Sequence, residues 1–115
     1  MIEENCEAFI SDCHVRAAVE IISHAWDPVV LSALRRGPTR RSVLLQVIGG
    51  ISDKVLTESL RRLTARRLVM RATQGSRRDS AVYELTDLGA SFAHGPLAGL
   101  ATWAADNQAQ LSTTS

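Results

Sequence analysis

Thirteen of the 115 residues are lysine or arginine, and twelve of them fall between positions 35 and 78. Arg35, Arg36, Arg40, Arg41, Lys54, Arg61, Arg62, Arg66, Arg67, Arg71, Arg77 and Arg78 stand there against only Asp53 and Glu58, a local excess of +10. The rest of the chain sets Arg16 against ten acids, a deficit of −9, so the net charge of +1 conceals two oppositely charged regions. Eleven of the twelve central cations are arginine, whose planar fork of N–H donors grips phosphate bidentately and reads guanine edges. Two acids cannot neutralise twelve cations locally, so the chemistry of this stretch is recognition of a polyanion, with nucleic acid the first candidate.

Other reactive residue types are sparse. Cys13 falls near the expected start of a helix, where unpaired N–H groups stabilise a thiolate, and His14 and Arg16 are close in sequence. It reads either as a redox-sensing thiol or as a small buried apolar residue. Cys6 sits among Glu3, Glu4 and Glu7, whose charges disfavour a thiolate. If both cysteines lay on one helix, seven residues of rise would part their α-carbons by roughly 10 Å, so a bridge would need a partner chain or a broken segment. His14, His24 and His94 show no zinc-like spacing with the cysteines, and Cys13-His14 lacks a third member for nucleophilic catalysis. No metal, no cofactor and no enzymatic activity are therefore expected. Five aromatic residues are too few for an extensive single-strand stacking platform. Trp26 and Trp103 read as core or dimer-interface residues, or as walls of a small effector pocket between subunits.

The elements that must position these groups follow from periodicity. Val15, Ala18, Val19 and Ile22 give an amphipathic helix over 12–23 with Asp12 placed to cap it. A second helix opens near Asp27-Pro28, carries Val30, Leu31 and Leu34, and stops at Gly37-Pro38. Ser42 is placed to cap a third, whose Leu44, Leu45, Val47 and Ile48 face inward until Gly49-Gly50. Ser52 caps a fourth with Leu56, Leu60 and Leu63 as its stripe, leaving Lys54, Glu58 and Arg61 opposite and Thr57 on the flank. Such a pair around a Gly-Gly turn is a helix-turn-helix. The period then shortens toward 2 over Leu68–Thr73 and Ala81–Leu85, predicting a β-hairpin with Arg77 and Arg78 near its Gly75-Ser76 turn. Thr86 caps a last helical region that Gly95-Pro96 interrupts before the stripe Leu97, Leu100, Ala101 and Ala104.

The expected fold is mainly α with a small β-hairpin: one winged helix-turn-helix domain over 1–111, with 1–24 and 87–111 as dimerisation segments and 112–115 as a disordered tail. At this length a chain buries only about two-thirds of its unfolded surface, which favours covering an apolar face with a second copy. No apolar run approaches a membrane span and the acidic start lacks a signal-peptide flank, so a cytoplasmic location and no membrane are expected.

Six segments in order and spacing resemble the HxlR-type winged-helix regulators of bacteria. They are Cys13 with Trp26 thirteen residues on, Pro28-Val29-Val30-Leu31, Gly49 through Thr57, Leu60-Arg61-Arg62-Leu63, Tyr83 through Gly89, and the late Trp103. The resemblance implies MarR-like homodimers that bind operator DNA with paired recognition helices, and in some members control by electrophiles or oxidants at the cysteine aligned with Cys13. Against the family pattern the chain has Ser23-His24-Ala25 for Gly-Gly-Lys and His14 for Pro. It also carries Arg41 where Phe is common, Arg67 where Gly usually closes the recognition helix, and no proline in the wing.

Together these readings predict a sequence-specific, double-stranded DNA-binding transcriptional regulator, a homodimeric repressor answering a small molecule or a thiol-reactive signal. The expected DNA contacts are Arg40, Ser52, Lys54, Thr57, Arg61, Arg77 and Arg78, with Asp53 complementing the helix dipole and Glu58 pairing with Arg62. Cys13 is the sensor candidate, and Trp26, Leu97, Leu100 and Trp103 are candidates for an effector pocket or dimer seam. The competing class is a winged-helix protein-interaction module that turns its basic face to an acidic protein.

Overall fold

Leu56, Leu60 and Leu63, the stripe expected on the fourth helix, are all buried, and the fold is assembled around them. The structure, a computed structural model, describes residues 10–72 and 81–111. The expectations for Cys6, for the Gly75-Ser76 turn with Arg77 and Arg78, and for the tail 112–115 lie outside the described residues.

In chain order come α1 (Ile10–Ile22), α2 (Trp26–Ala33) with a 3₁₀ turn at Leu34–Arg36, β1 (Thr39–Arg40), α3 (Arg41–Val47) and α4 (Asp53–Ala65). Strands β2 (Val69–Ala72) and β3 (Val82–Leu85) follow, then α5 (Asp87–Phe92), a π turn (Ala93–Leu97), α6 (Ala98–Asp106) and α7 (Gln108–Leu111). Val30 and Leu31 from α2, Leu34 from the 3₁₀ turn, Leu44 from α3 and Ile48 just after it, Leu68 and Val69 at the entry to β2, and Ala93 and Leu97 from the π turn close one core around the α4 stripe. Each fully buried leucine contributes roughly 1.5–3 kcal/mol by leaving water.

The α3–α4 pair is the expected helix-turn-helix. Gly50 takes φ +85° in its turn, a conformation that glycine adopts without penalty. Ser52 is extended and its Oγ accepts the Val55 N–H at 3.1 Å, capping α4 as the sequence predicts. Thr86 does the same for α5, accepting the Gly89 N–H at 2.9 Å while donating to the Arg67 carbonyl at 2.6 Å.

Several expectations are corrected. The helix of α1 is already under way at Ile10, so Asp12 is not its N-cap and Cys13 lies within the helix. Ser42 does not cap α3. Arg40 holds that position without a side-chain bond, and the Arg41 N–H is satisfied instead by the Ala81 carbonyl at 2.8 Å. That bond belongs to a pairing the periodicity did not suggest: β1 joins the hairpin to make a three-stranded antiparallel sheet in the order β1-β3-β2. Two residues are too short to carry an alternation. Val47 is exposed rather than inward. Gly95-Pro96 does not interrupt the last helix, because the chain passes through them in a π turn, whose wider bonding pattern tolerates a residue without an N–H.

Candidate nucleic-acid interface

Amphipathicity sorts the side chains of α4. Leu56, Ser59, Leu60 and Leu63 go inward, while Ser52, Lys54 and Arg61 are exposed. Lys54 and Arg61 stand seven residues apart, two helical turns, and so share one outward face. Arg40 is exposed on β1 beside the start of α3, and Arg71 is exposed on β2. Arg40, Ser52, Lys54 and Arg61 are thus all exposed on the helix-turn-helix and the strand that precedes it.

Thr57 is placed differently. It is half-buried, its hydroxyl donating to the Asp53 carbonyl at 3.0 Å and accepting from Arg41 Nη2 at 2.5 Å. Arg41, only 2% exposed, also donates to the Asp53 carbonyl at 3.0 Å and pairs with the Asp53 carboxylate at 2.9 Å. A buried arginine from the first turn of α3 therefore holds the first turn of α4. Asp53 complements the helix dipole as expected, and it has this second partner besides.

The other end of α4 is held by a second knot. Asp27, 1% exposed in the first turn of α2, accepts Ser59 Oγ at 2.6 Å, Arg62 Nη2 at 2.8 Å and Arg62 Nε at 3.0 Å. The fork-on-carboxylate geometry is the strong, directional form of ion pair. The hydrogen bond to Asp27 is the main cause that raises the Arg62 pKa above arginine's ordinary value; burial opposes it, and the charges of Asp27 and Glu58 add to it. Arg62's hydrogen-bonded partner is Asp27 and not the Glu58 one turn back on its own helix. Neither Arg41 nor Asp27 stood out in the sequence as part of the site. The signal available was the pair of unusual polar residues, Asp27 in a helix start otherwise apolar and Arg41 in a position where the family commonly has an aromatic.

Around the remaining candidates, Trp26 is half-buried and reaches the helix-turn-helix turn, its Cη2 lying 3.7 Å from where a β-carbon on Gly50 would sit. Leu97 is buried and lines a groove of about 790 Å³ with Val29, Val47, Ile48 and Ala101. Leu100 and Trp103 are 50% and 56% exposed on α6. Cys13 is half-buried and disulfide-bonded. Among the described residues, no cluster of histidine, cysteine and carboxylate has the makings of a metal site, and no single helix is long and apolar enough to cross a membrane.

A helix-turn-helix whose second helix faces outward beside a three-stranded antiparallel sheet with a hairpin defines a winged helix. Residues 21–112 match the family of HxlR-like helix-turn-helix proteins. Over 95 residues the chain is 33% identical to the HTH-type transcriptional regulator YtfH of Escherichia coli (strain K12), spanning 83% of this chain and 75% of that protein. Among solved structures, the transcriptional regulator ytfH from Salmonella typhimurium matches with a TM-score of 0.74 and 30% identity, across 87% of this chain and 88% of that one. Quinone-bound YodB from Bacillus subtilis shares the fold with a TM-score of 0.68 at 24% identity, over 81% and 97% of the two chains. The chain belongs to the HxlR-like helix-turn-helix family and is a transcriptional regulator of the helix-turn-helix type.

Proposed function

We propose that this protein is a homodimeric repressor that binds a specific double-stranded operator through paired α4 helices and is released by a small-molecule or thiol-reactive signal. The observation that carries the reading is α4 itself: Lys54 and Arg61 are presented outward by a helix held at its first turn by Arg41 and in its second half by Asp27 and Arg62. A recognition element works when its side chains are pre-positioned, and two ion-pair knots on a buried leucine stripe supply that rigidity. Arg40 and, from the segment between β2 and β3, Arg77 and Arg78 serve backbone or minor-groove contacts.

Dimerisation is supported by where large apolar side chains remain in water. Val15 and Val19 on α1 and Leu100 and Trp103 on α6 are all exposed, and such a grouping on terminal helices suits a two-fold seam. For the signal, Cys13 on α1 is the thiol of this scheme, with its disulfide as the oxidised form, and the quinone-bound relative in fold supports a small reactive effector.

The test is binding across a salt series to the intergenic duplex beside its own gene and to a random duplex of equal length. A steep salt dependence with preference for the intergenic duplex is expected. Equal affinity for both at every salt overturns sequence-specific recognition. A folded dimer that binds neither shifts the reading to a protein-interaction module.

A further inference from the structure

Beside the outward face of α4 lies a cleft of about 420 Å³ that the sequence does not reveal, lined by Arg41, Thr57, Arg61 and Thr64 on the helical side and by Arg71 and Tyr83 on the sheet. We infer that this cleft is an oxyanion seat for one phosphate, taken from the DNA backbone, with Arg61 and Arg71 as its grips and Arg41 as its fixed base. The backbone occupant rests on the duplex-binding reading above; the seat as an anion site does not.

The convergence is dictated by backbone geometry. Thr57, Arg61 and Thr64 follow one another at i, i+4 and i+7 on α4 and so share a face. Arg71 and Tyr83 are direct partners across the antiparallel β2–β3 pair and so emerge on one side of the sheet. The two faces meet at the cleft. Arginines from three elements line it, and no carboxylate does. Asp53 is engaged with Arg41, and among the described residues no carboxylate pairs with Arg61 or Arg71. Like charges brought together in one concavity repel, and an anion between them converts that repulsion into charge-assisted hydrogen bonds. Two arginine forks with the hydroxyls of Thr64 and Tyr83 offer planar and single donors together, the set that suits a tetrahedral oxyanion. Thr57 forms wall rather than grip, since its only O–H is given to the Asp53 carbonyl. Position names the source: with α4 in a groove, a cleft between that helix and the sheet lies at the groove's rim, where the phosphates run.

Two measurements on the full chain test this. In the first, inorganic phosphate is titrated against a chloride control at equal ionic strength, and the ring resonances of Tyr83, the chain's one tyrosine, are followed. In the second, affinity for a random-sequence duplex is measured against salt. Wild type is expected to show a saturable phosphate response. Arg71→Gln, at an exposed strand position that leaves the core intact, loses that response. It weakens duplex binding about tenfold and lowers the salt slope by roughly 0.9 per protomer. Arg71→Lys keeps the slope and loses part of the affinity, and Arg35→Gln, outside the cleft, leaves the phosphate response unchanged. A saturable phosphate response without any change of slope, or in a protein that binds no duplex, supports the seat and gives it to a free phosphate-type anion. A change of slope alone supports the backbone occupant. Arg71→Gln that alters neither measurement overturns the seat.

Discussion

Arginine does three different jobs in this protein, and the difference is one of solvation. Exposed Arg61 is available to a partner, Arg41 is buried in the joint between α3 and α4, and Arg62 reaches from the surface to a carboxylate that water does not touch. The last pair is asymmetric: the Arg62 side chain is 30% exposed and that of Asp27 only 2%. Asp27→Asn leaves a cation that can turn to water, whereas Arg62→Met strands a buried carboxylate on one hydroxyl. We expect Arg62→Met to cost about 3 kcal/mol and Asp27→Asn about 2, measured by urea unfolding; equal losses would show that the two partners are equally trapped. Arg67 is a different case. It closes α4 at φ +65°, a left-handed conformation that strains any residue with a β-carbon. Arg67→Gly should therefore raise stability by about 0.5–1 kcal/mol with an unchanged urea m-value. A loss would mean that the arginine side chain makes a contact outweighing the strain.

At the scale of elements, the sheet and α5 are locked together by a close approach. A β-carbon on Gly89 would sit 1.9 Å from the Leu68 carbonyl oxygen, and the Thr86 N–H donates to that same oxygen at 3.1 Å. Backbone cannot yield as a flexible side chain would, so Gly89→Ala should cost about 3 kcal/mol or more and lower the thermal midpoint by 10 °C or more; a change under 2 °C would show that α5 can back away. The α4 stripe, its Ser52 cap, the Thr86 cap and the hairpin strands were readable because each signal lies within a few residues and repeats with the element's own period. The knot joining Asp27 to Ser59 and Arg62 was not, since its members are 32 and 35 residues apart and no local period links them. The cleft was hidden for the same reason: Arg71 and Tyr83 become neighbours only through strand register. Pro96 misled because its usual meaning, a helix end, assumes α-helical bonding.

For the whole molecule, the exposed apolar side chains of α1 and α6 are where the proposed dimer can be tested. Leu100→Asp places a carboxylate at that seam and should yield monomers by sedimentation, with weakened operator binding through loss of the second half-site; a mutant that stays dimeric puts the seam elsewhere. In the proposed scheme the signal enters at Cys13. Added to the reduced protein, diamide should release wild type from the operator and leave Cys13→Ser bound, and an unchanged wild-type affinity would remove the disulfide switch and favour a small ligand. The π turn bears on this in a way that concerns counting along the helix. Gly89, Ala93 and Leu97 are all buried and follow at steps of four, and in a uniform α-helix two such steps drift by about 80°. The π turn takes up the surplus, so the stretch behaves as an α-helix carrying one inserted residue. Deleting Pro96 removes the residue that lacks an N–H and restores the α-helical phase in one edit, leaving Leu100 and Trp103 pointing where they do now. Adding a residue there rotates both by roughly 100°. The C-terminal helix is thus open to evolutionary shortening at this point and closed to lengthening.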